Sequence, residues 1–225
     1  MQAGIAIFVK TPGLSPLKTR LAATLGRAAA ERWYALAATA VAEVCARASD
    51  RTGAPLYWAV AESHGLADHR WTGLPRLSQG PGDLGLRMAN IHGLLVDRHG
   101  GGILLGADTP QVTAAEIEAA LAWVANPDPR AAFGPAGDGG FWLYAGNRRL
   151  PAATWQAPAY SSPHALAGLR EGHPRSTVIK LLGMHRDVDT EADLAPCIDA
   201  LAGLGDPTPA QRALLALMRG TDAAD

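Results

Sequence analysis

"GGILLGADTPQVTAAEIEAALAWVAN", Gly101 to Asn126, sets the clearest strand of the chain beside its clearest helix. Gly102–Ala107 is a short apolar run. The helix opens at Thr113, with Glu116 three residues on, the spacing of a reciprocal cap. Between the two stands Asp108, at the carboxyl end of the strand. The unit β-strand, polar loop, helix is the repeating element of an α/β protein.

The same unit recurs on both sides. Toward the N-terminus, "GIAIFV" (Gly4–Val9) is a continuous apolar run, as expected of a strand buried on both faces. An Ala-rich helix, "AAAERWYALAATAVAEVCARA", ends near Ser49–Asp50, and "PLYWAVA" reads as a second strand. The polar stretch Glu62 to Gly73 reads as a loop with a short helix. "PRLSQ" is a short third strand, and after "GPGDLG" a helix runs from Leu86 to about Arg98. Toward the C-terminus, "RAAFGPAGDGGFWLYA" reads as two short strands around a Gly-rich turn, and "STVIKLLG" as another strand. "DVDT" caps the helix "EADLAPCIDALAGL", and a last helix spans about Pro209 to Arg219. Strands alternating with helices predict a three-layer α/β/α sandwich with a mostly parallel sheet. At 225 residues the chain fits one domain, 1–225, with a full core.

Bulk composition excludes several functions. Hydrophobic content of 48% with 18% charge is that of a globular protein, and a formal net charge of -1 gives no general attraction to nucleic acid or to an anionic membrane. No run approaches the ~20 apolar residues of a membrane span, and "GIAIFV" is too short for a secretory leader. Cys45 and Cys197 lie apart in apolar, helix-like stretches, so buried thiols are expected rather than a disulfide or zinc site. A soluble, cytoplasmic protein is the expectation.

Against this balanced charge, "FVKTPGLSPLKTRLA" (Phe8–Ala22) places Lys10, Lys18 and Arg20 in and just after one Pro/Gly-rich loop behind the first strand. Such a loop expects an anion. Carboxylates also fall at strand ends: Asp108, Asp138 in the turn before "FWLYA", and Asp187 and Asp189 after "VIKLLG". Ligands of open α/β sheets bind outside the carboxyl ends of the strands. Cations and carboxylates on one rim suit a phosphate bridged by Mg²⁺ or Mn²⁺. Each residue also has a local alternative: Asp108, Asp187 and Asp189 as helix or turn caps, Asp138 as a tight-turn residue, Lys18 and Arg20 as a solvated first helical turn. "GLSPLKT" is not a phosphate-binding P-loop, since Leu17 stands where its last Gly belongs. Neither an HExxH pair nor a GxSxG elbow near the serines of "YSSPH" occurs.

"FVKTPGLSPLKTRLA", "SQGPGDLGLRM", "GADTPQVT", "GPAGDGGFW" and "DVDTEADL" together resemble, in order and rough spacing, the bacterial arsenosugar-biosynthesis-type glycosyltransferases. "KTRL" with "DVDT" also resembles 2-phospholactate guanylyltransferase, a relative of the same fold. The resemblance runs from residue 8 to about 194. It implies a GT-A, nucleotide-diphospho-sugar transferase-like fold. By it, Lys10, Lys18 and Arg20 contact nucleotide phosphates, Asp108 binds metal, and Asp189, with Asp187, completes the metal site. Gly82 and Asp83 lie near base or ribose, and Asp138, Gly139 and Gly140 line the pocket of the second substrate. Ser15 replaces a Gly usual in that family, Gln111 an acidic residue, and Gly137 and Leu86 a Glu each.

Three functions fit. The first is metal-dependent glycosyl transfer from a nucleotide-sugar to a small-molecule acceptor, with Asp138 orienting or deprotonating an acceptor hydroxyl. The second is nucleotidyl transfer joining a nucleoside triphosphate to a phosphorylated small molecule. The third is nucleotide binding without catalysis. Trp71, Trp142 and Trp155, in loop-like or edge positions, are expected at an interface or an acceptor pocket.

Overall fold

The computed structural model describes residues 2–160 and 162–220, so Ser161 of "YSSPH" lies outside the described residues. Seven strands form one sheet in the order β3-β2-β1-β4-β6-β5-β7. They are β1 (Gly4–Val9), β2 (Leu56–Val60), β3 (Arg76–Ser78), β4 (Gly102–Gly106), β5 (Arg130–Pro135), β6 (Phe141–Gly146) and β7 (Val178–Leu181). Only β6 runs antiparallel to its neighbours, a consequence of the tight turn that joins it to β5. Among them, β1 pairs with β2 and with β4, matching Ile5 to Leu56 and to Ile103.

Alternation along the central strands divides the core in two. Ile5, Ile7 and Val9 of β1 and Ile103 and Leu105 of β4 face one layer; Ala6 and Leu104 face the other. The first layer is built by α1 (Thr19–Leu25), α2 (Arg27–Thr52), α4 (Ala114–Val124), α7 (Leu194–Ala202) and α8 (Pro209–Met218). The second is built by α3 (Leu84–His99), α5 (Ala152–Gln156) and α6 (Ala165–Glu171). The mostly parallel three-layer sandwich is therefore present. No helix among the described residues is long and apolar enough to cross a membrane.

Boundaries follow local chemistry. The cap of α4 is reciprocal: the Thr113 side chain accepts from the Glu116 N–H, and the Glu116 carboxylate accepts from the Thr113 N–H. Helix α2 runs past Ser49 and Asp50 to Thr52, because Gly53, at φ 74, supplies the left-handed cap whose N–H reaches Ser49 O. Helix α3 starts at Leu84, two residues earlier than the sequence implies, because Asp83 accepts from the Leu86 N–H at 2.8 Å. Helices α5 and α6, of 5 and 7 residues, are too short to show a periodicity.

The tryptophans correct an expectation. Trp71, Trp142 and Trp155 are 2%, 4% and 0% exposed, so none is free for a protein interface. Trp71 packs on Trp58 at 5.2 Å and Trp155 on Tyr144 at 4.8 Å. Trp142 belongs to the core while lining a cleft described below. Cys45 and Cys197 are buried free thiols.

Candidate active site

The order of strands changes direction at β1: the chain builds outward through β2 and β3, then returns to place β4 on the other side. A crevice opens at the carboxyl ends flanking such a switch point. Lys10 follows β1 and Asp108 follows β4 at this crevice. A Cβ on Gly106 would lie 2.7 Å from Asp108 Oδ1, so glycine gives the carboxylate its room.

Asp187 and Asp189 arrive from the far side of the sheet. Between them Val188 is fully buried, and its N–H donates to Asp108 O at 3.3 Å. In extended chain alternate residues face the same way, so burying Val188 turns both carboxylates toward Asp108. They are not caps. Thr190 caps the turn that follows, and the Asp193 carboxylate accepts from the Thr190 N–H and Asp189 N–H. The buried Gln111 donates to Arg186 O at 2.5 Å, tying this segment to the loop after β4. Position 111 is thus a brace and lines neither cleft described below.

Oxygens of Asp108, Asp187 and Asp189 lie within 4.8 Å of one another. Ligands about 2.1 Å from a hard divalent ion stand roughly 3 to 4.2 Å apart, so a small contraction makes three oxygens of an octahedral set. The donors are all carboxylate, the chemistry of Mg²⁺ or Mn²⁺ rather than of a soft metal. Burial, then the charges of Asp108, Asp189 and Asp138, push Asp187 up to about 6 against the partial relief of Lys18. This excess of negative charge is what a divalent cation would relieve.

Lys18 supplies part of that relief. Its Nζ donates to Asp108 Oδ2 and Asp189 Oδ1, each at 2.7 Å, with a side chain only 5% exposed. Desolvation alone would lower its pKa, and the two carboxylates more than reverse this, so it is raised. Lys18 is also the only non-glycine at positive φ among the described residues, φ 45 and ψ 42, a conformation costing about 1–2 kcal/mol. The ion pairs hold it there. Arg20 pairs with Asp189 from solvent.

Two clefts meet at Asp108. The first is lined by Lys10, Lys18, Arg20, Gly82, Asp83, Asp108 and Asp189, together with Gln79 and Arg87. The second is lined by Asp108, Asp138, Gly140 and Asp187 among mostly apolar side chains. The sequence candidates therefore converge, with two refinements. Asp83 is engaged as the cap of α3. Gly139 lines neither cleft: at φ 88 it turns the β5–β6 loop, and a Cβ there would stand 2.1 Å from Pro163 O. Gly139→Ala is accordingly expected to destabilise by more than about 2 kcal/mol, lowering Tm by at least about 4 °C in a thermal melt; an unchanged Tm would deny this packing.

Sequence reasoning missed Gln79, Arg87 and Thr109. Gln79 directly follows β3, where the strand-end rule would have found it, and donates to Val9 O and Ala59 O. Arg87, one turn into α3, donates to Gly82 O at 2.9 Å and adds a further cation to the first cleft.

Residues 37–162 match the family profile described as "Uncharacterized protein conserved in bacteria (DUF2064)". No curated protein matches the chain. Among solved structures, it is similar to a protein of Desulfovibrio desulfuricans G20 provisionally assigned as a nucleotide-diphospho-sugar transferase, at 24% identity and TM-score 0.77 over 98% of both chains. CMP:2-keto-3-deoxy-manno-octonic acid synthetase complexed with CTP is similar at 15% identity and TM-score 0.55, over 90% of this chain and 99% of that one. The 4-diphosphocytidyl-2C-methyl-D-erythritol synthase of Anaerococcus prevotii DSM 20548 follows at 9% and 0.53, over 89% and 97%. The fold is nucleotide-diphospho-sugar transferase-like.

Proposed function

The chain belongs to the DUF2064 family, and from that premise we propose that it is a metal-assisted transferase using a nucleotide-activated donor, with glycosyl transfer to a small-molecule acceptor as its reaction. One observation carries this reading. The Asp108–Asp187–Asp189 cluster stands where two clefts meet, Asp108 lining both, Asp189 the one with four cations and Asp187 the one with none. A nucleotide diphosphate fits the first, a second substrate the other. Comparison with nucleotidyl transferases of the same fold supports nucleotide use and leaves the transferred group open.

Asp108, Asp187 and Asp189 would hold Mg²⁺ or Mn²⁺, which when bound stabilises negative charge on phosphate oxygens. Lys18 and Arg20, with Lys10 and Arg87, would neutralise the departing diphosphate. As the bond between the sugar carbon and the phosphate oxygen breaks, a bond to the acceptor oxygen forms, and the hydroxyl proton passes to Asp138. Asp138 is already oriented, accepting from the Gly140 N–H at 2.9 Å. Nucleotidyl transfer remains a second reading because four cations suit a triphosphate as well as a diphosphate; it would release pyrophosphate where glycosyl transfer releases a nucleoside diphosphate. A silent nucleotide-binding protein is the third.

The test is a thermal-shift panel of nucleoside triphosphates, diphosphates and nucleotide-sugars with and without Mg²⁺ or Mn²⁺. One nucleotide class is expected to raise Tm only with metal, and absence of any shift would remove the phosphate reading of Lys18 and Arg20. The same panel carries a pH signature. Burial and the neighbouring carboxylates push Asp187 up to about 6 from the usual 3.8, so without metal its protonation stabilises the protein most in acid, an effect lost as pH rises through about 6. Metal needs the carboxylate, so the metal-dependent Tm shift is expected in full above pH 6 and to fade below it.

A further inference from the structure

Resting on that reading, we infer that the second substrate is a non-phosphorylated, non-anionic small molecule with an apolar body and a hydroxyl or amino head. The two clefts have opposite characters. The first presents Lys10, Lys18, Arg20 and Arg87. The second presents no Lys, Arg or His among the described residues, and its charged members are Asp108, Asp138 and Asp187. Lys18 already pairs with Asp108, and a divalent ion at the cluster would be shared by Asp108, Asp187 and Asp189, so Asp138 is the carboxylate that stays uncompensated in this cleft. A phosphate monoester carries roughly −1.5 to −2 charges and would meet the Asp138 carboxylate with no lining Lys, Arg or His to receive it.

The remaining walls describe the body of the ligand. Phe8, Met88, Leu104, Phe141 and Trp142 surround the cleft, and Met88, Leu104 and Trp142 are themselves core residues. Their rigidity favours a preformed apolar slot over one that assembles around a polar ligand. Phe141 is packed edge-on against Phe133 at 5.7 Å and against Tyr160 at 6.3 Å, which fixes its ring. The Asp138 carboxylate, which accepts from the Gly140 N–H, is the polar group that can accept a hydrogen bond from a ligand hydroxyl or amine. Apolar walls with an unpaired carboxylate and no lining cation select an uncharged or cationic head on an apolar body.

The experiment uses three matched probes, phenethyl alcohol, phenethylamine and phenethyl phosphate, titrated calorimetrically into the full chain with Mg²⁺ present. The alcohol and the amine are expected to bind at least about tenfold more tightly than the phosphate. Asp138→Asn should narrow that gap, Asp138→Lys should reverse it, and Phe141→Ala should weaken all three probes. Phosphate binding equal to or tighter than the alcohol, or no binding by any probe, would overturn the inference. Nucleotide stabilisation measured on the same preparation separates the two failures. Nucleotides that bind while phenethyl phosphate wins defeat the inference alone, whereas the expected probe order without any nucleotide effect defeats the donor reading and leaves the cleft assignment standing.

Discussion

Exchanging Lys18 for Met is expected to tighten Mg²⁺ or Mn²⁺ binding in the absence of nucleotide by at least about tenfold while cutting turnover about 10²- to 10³-fold. The two effects have opposite signs because Lys18 serves two anions in turn. In the structure its ammonium bridges Asp108 and Asp189, the same carboxylates that would hold the metal. Removing that charge removes a competitor. During transfer the ammonium is instead the nearest buried cation to the first cleft, and its loss leaves the diphosphate charge to Lys10, Arg20 and Arg87. Without metal the variant should also lose about 1–2 kcal/mol, since two carboxylates each 31% exposed are left without their shared partner. Calorimetric metal titration with steady-state kinetics checks both arms. Metal affinity that falls with turnover would mean that Lys18 only builds the site.

The main outline of this site was readable in the sequence, and its wiring was not. Continuous apolar runs such as Gly4–Val9 and Gly102–Gly106 announce buried parallel strands, and the strand-end rule then collects Lys10, Asp108 and Asp138. The bridge from Lys18 to Asp108 and Asp189 spans 90 and 171 residues, and depends on β1 and β4 being neighbours, which no local pattern records. For the metal candidates Asp187 and Asp189 the sequence also allows a capping role, because they precede a helix. Only the burial of Val188 between them shows that the segment is extended and aims both carboxylates at one point. Trp155 misled for a related reason: α5 is five residues long, so nothing periodic marked its buried face. Asp83 had a legible signal, an Asp three residues before the Leu86 N–H it caps, that competed with a ligand role.

Asp108→Asn separates catalysis from binding more cleanly than any other change. The amide is nearly the size of the carboxylate and still offers an oxygen to Lys18 Nζ. The backbone bond from the Val188 N–H to Asp108 O does not involve the side chain, so the rim keeps its shape. What changes is charge. One oxygen of the three-carboxylate cluster becomes neutral, and the repulsion that helps raise Asp187 to about 6 is reduced, so Asp187 should titrate lower in the variant. Loss of repulsion and loss of attraction to Lys18 oppose one another, and Tm without metal should stay within about 2 °C of the parent. The metal-dependent Tm increment should disappear, and turnover should fall by about 10³-fold or more, because two carboxylates bind a divalent ion weakly and position it poorly. Nucleotide affinity without metal should change little, since Lys10, Arg20 and Arg87 are untouched. That pattern would identify Asp108 as the junction where the two clefts share a cation. Turnover preserved in the variant would move the chemistry away from this cluster. A parent protein that binds nucleotide equally well with and without metal, and turns over no donor, would instead leave a binding protein whose acidic cluster is neutralised by Lys18 alone.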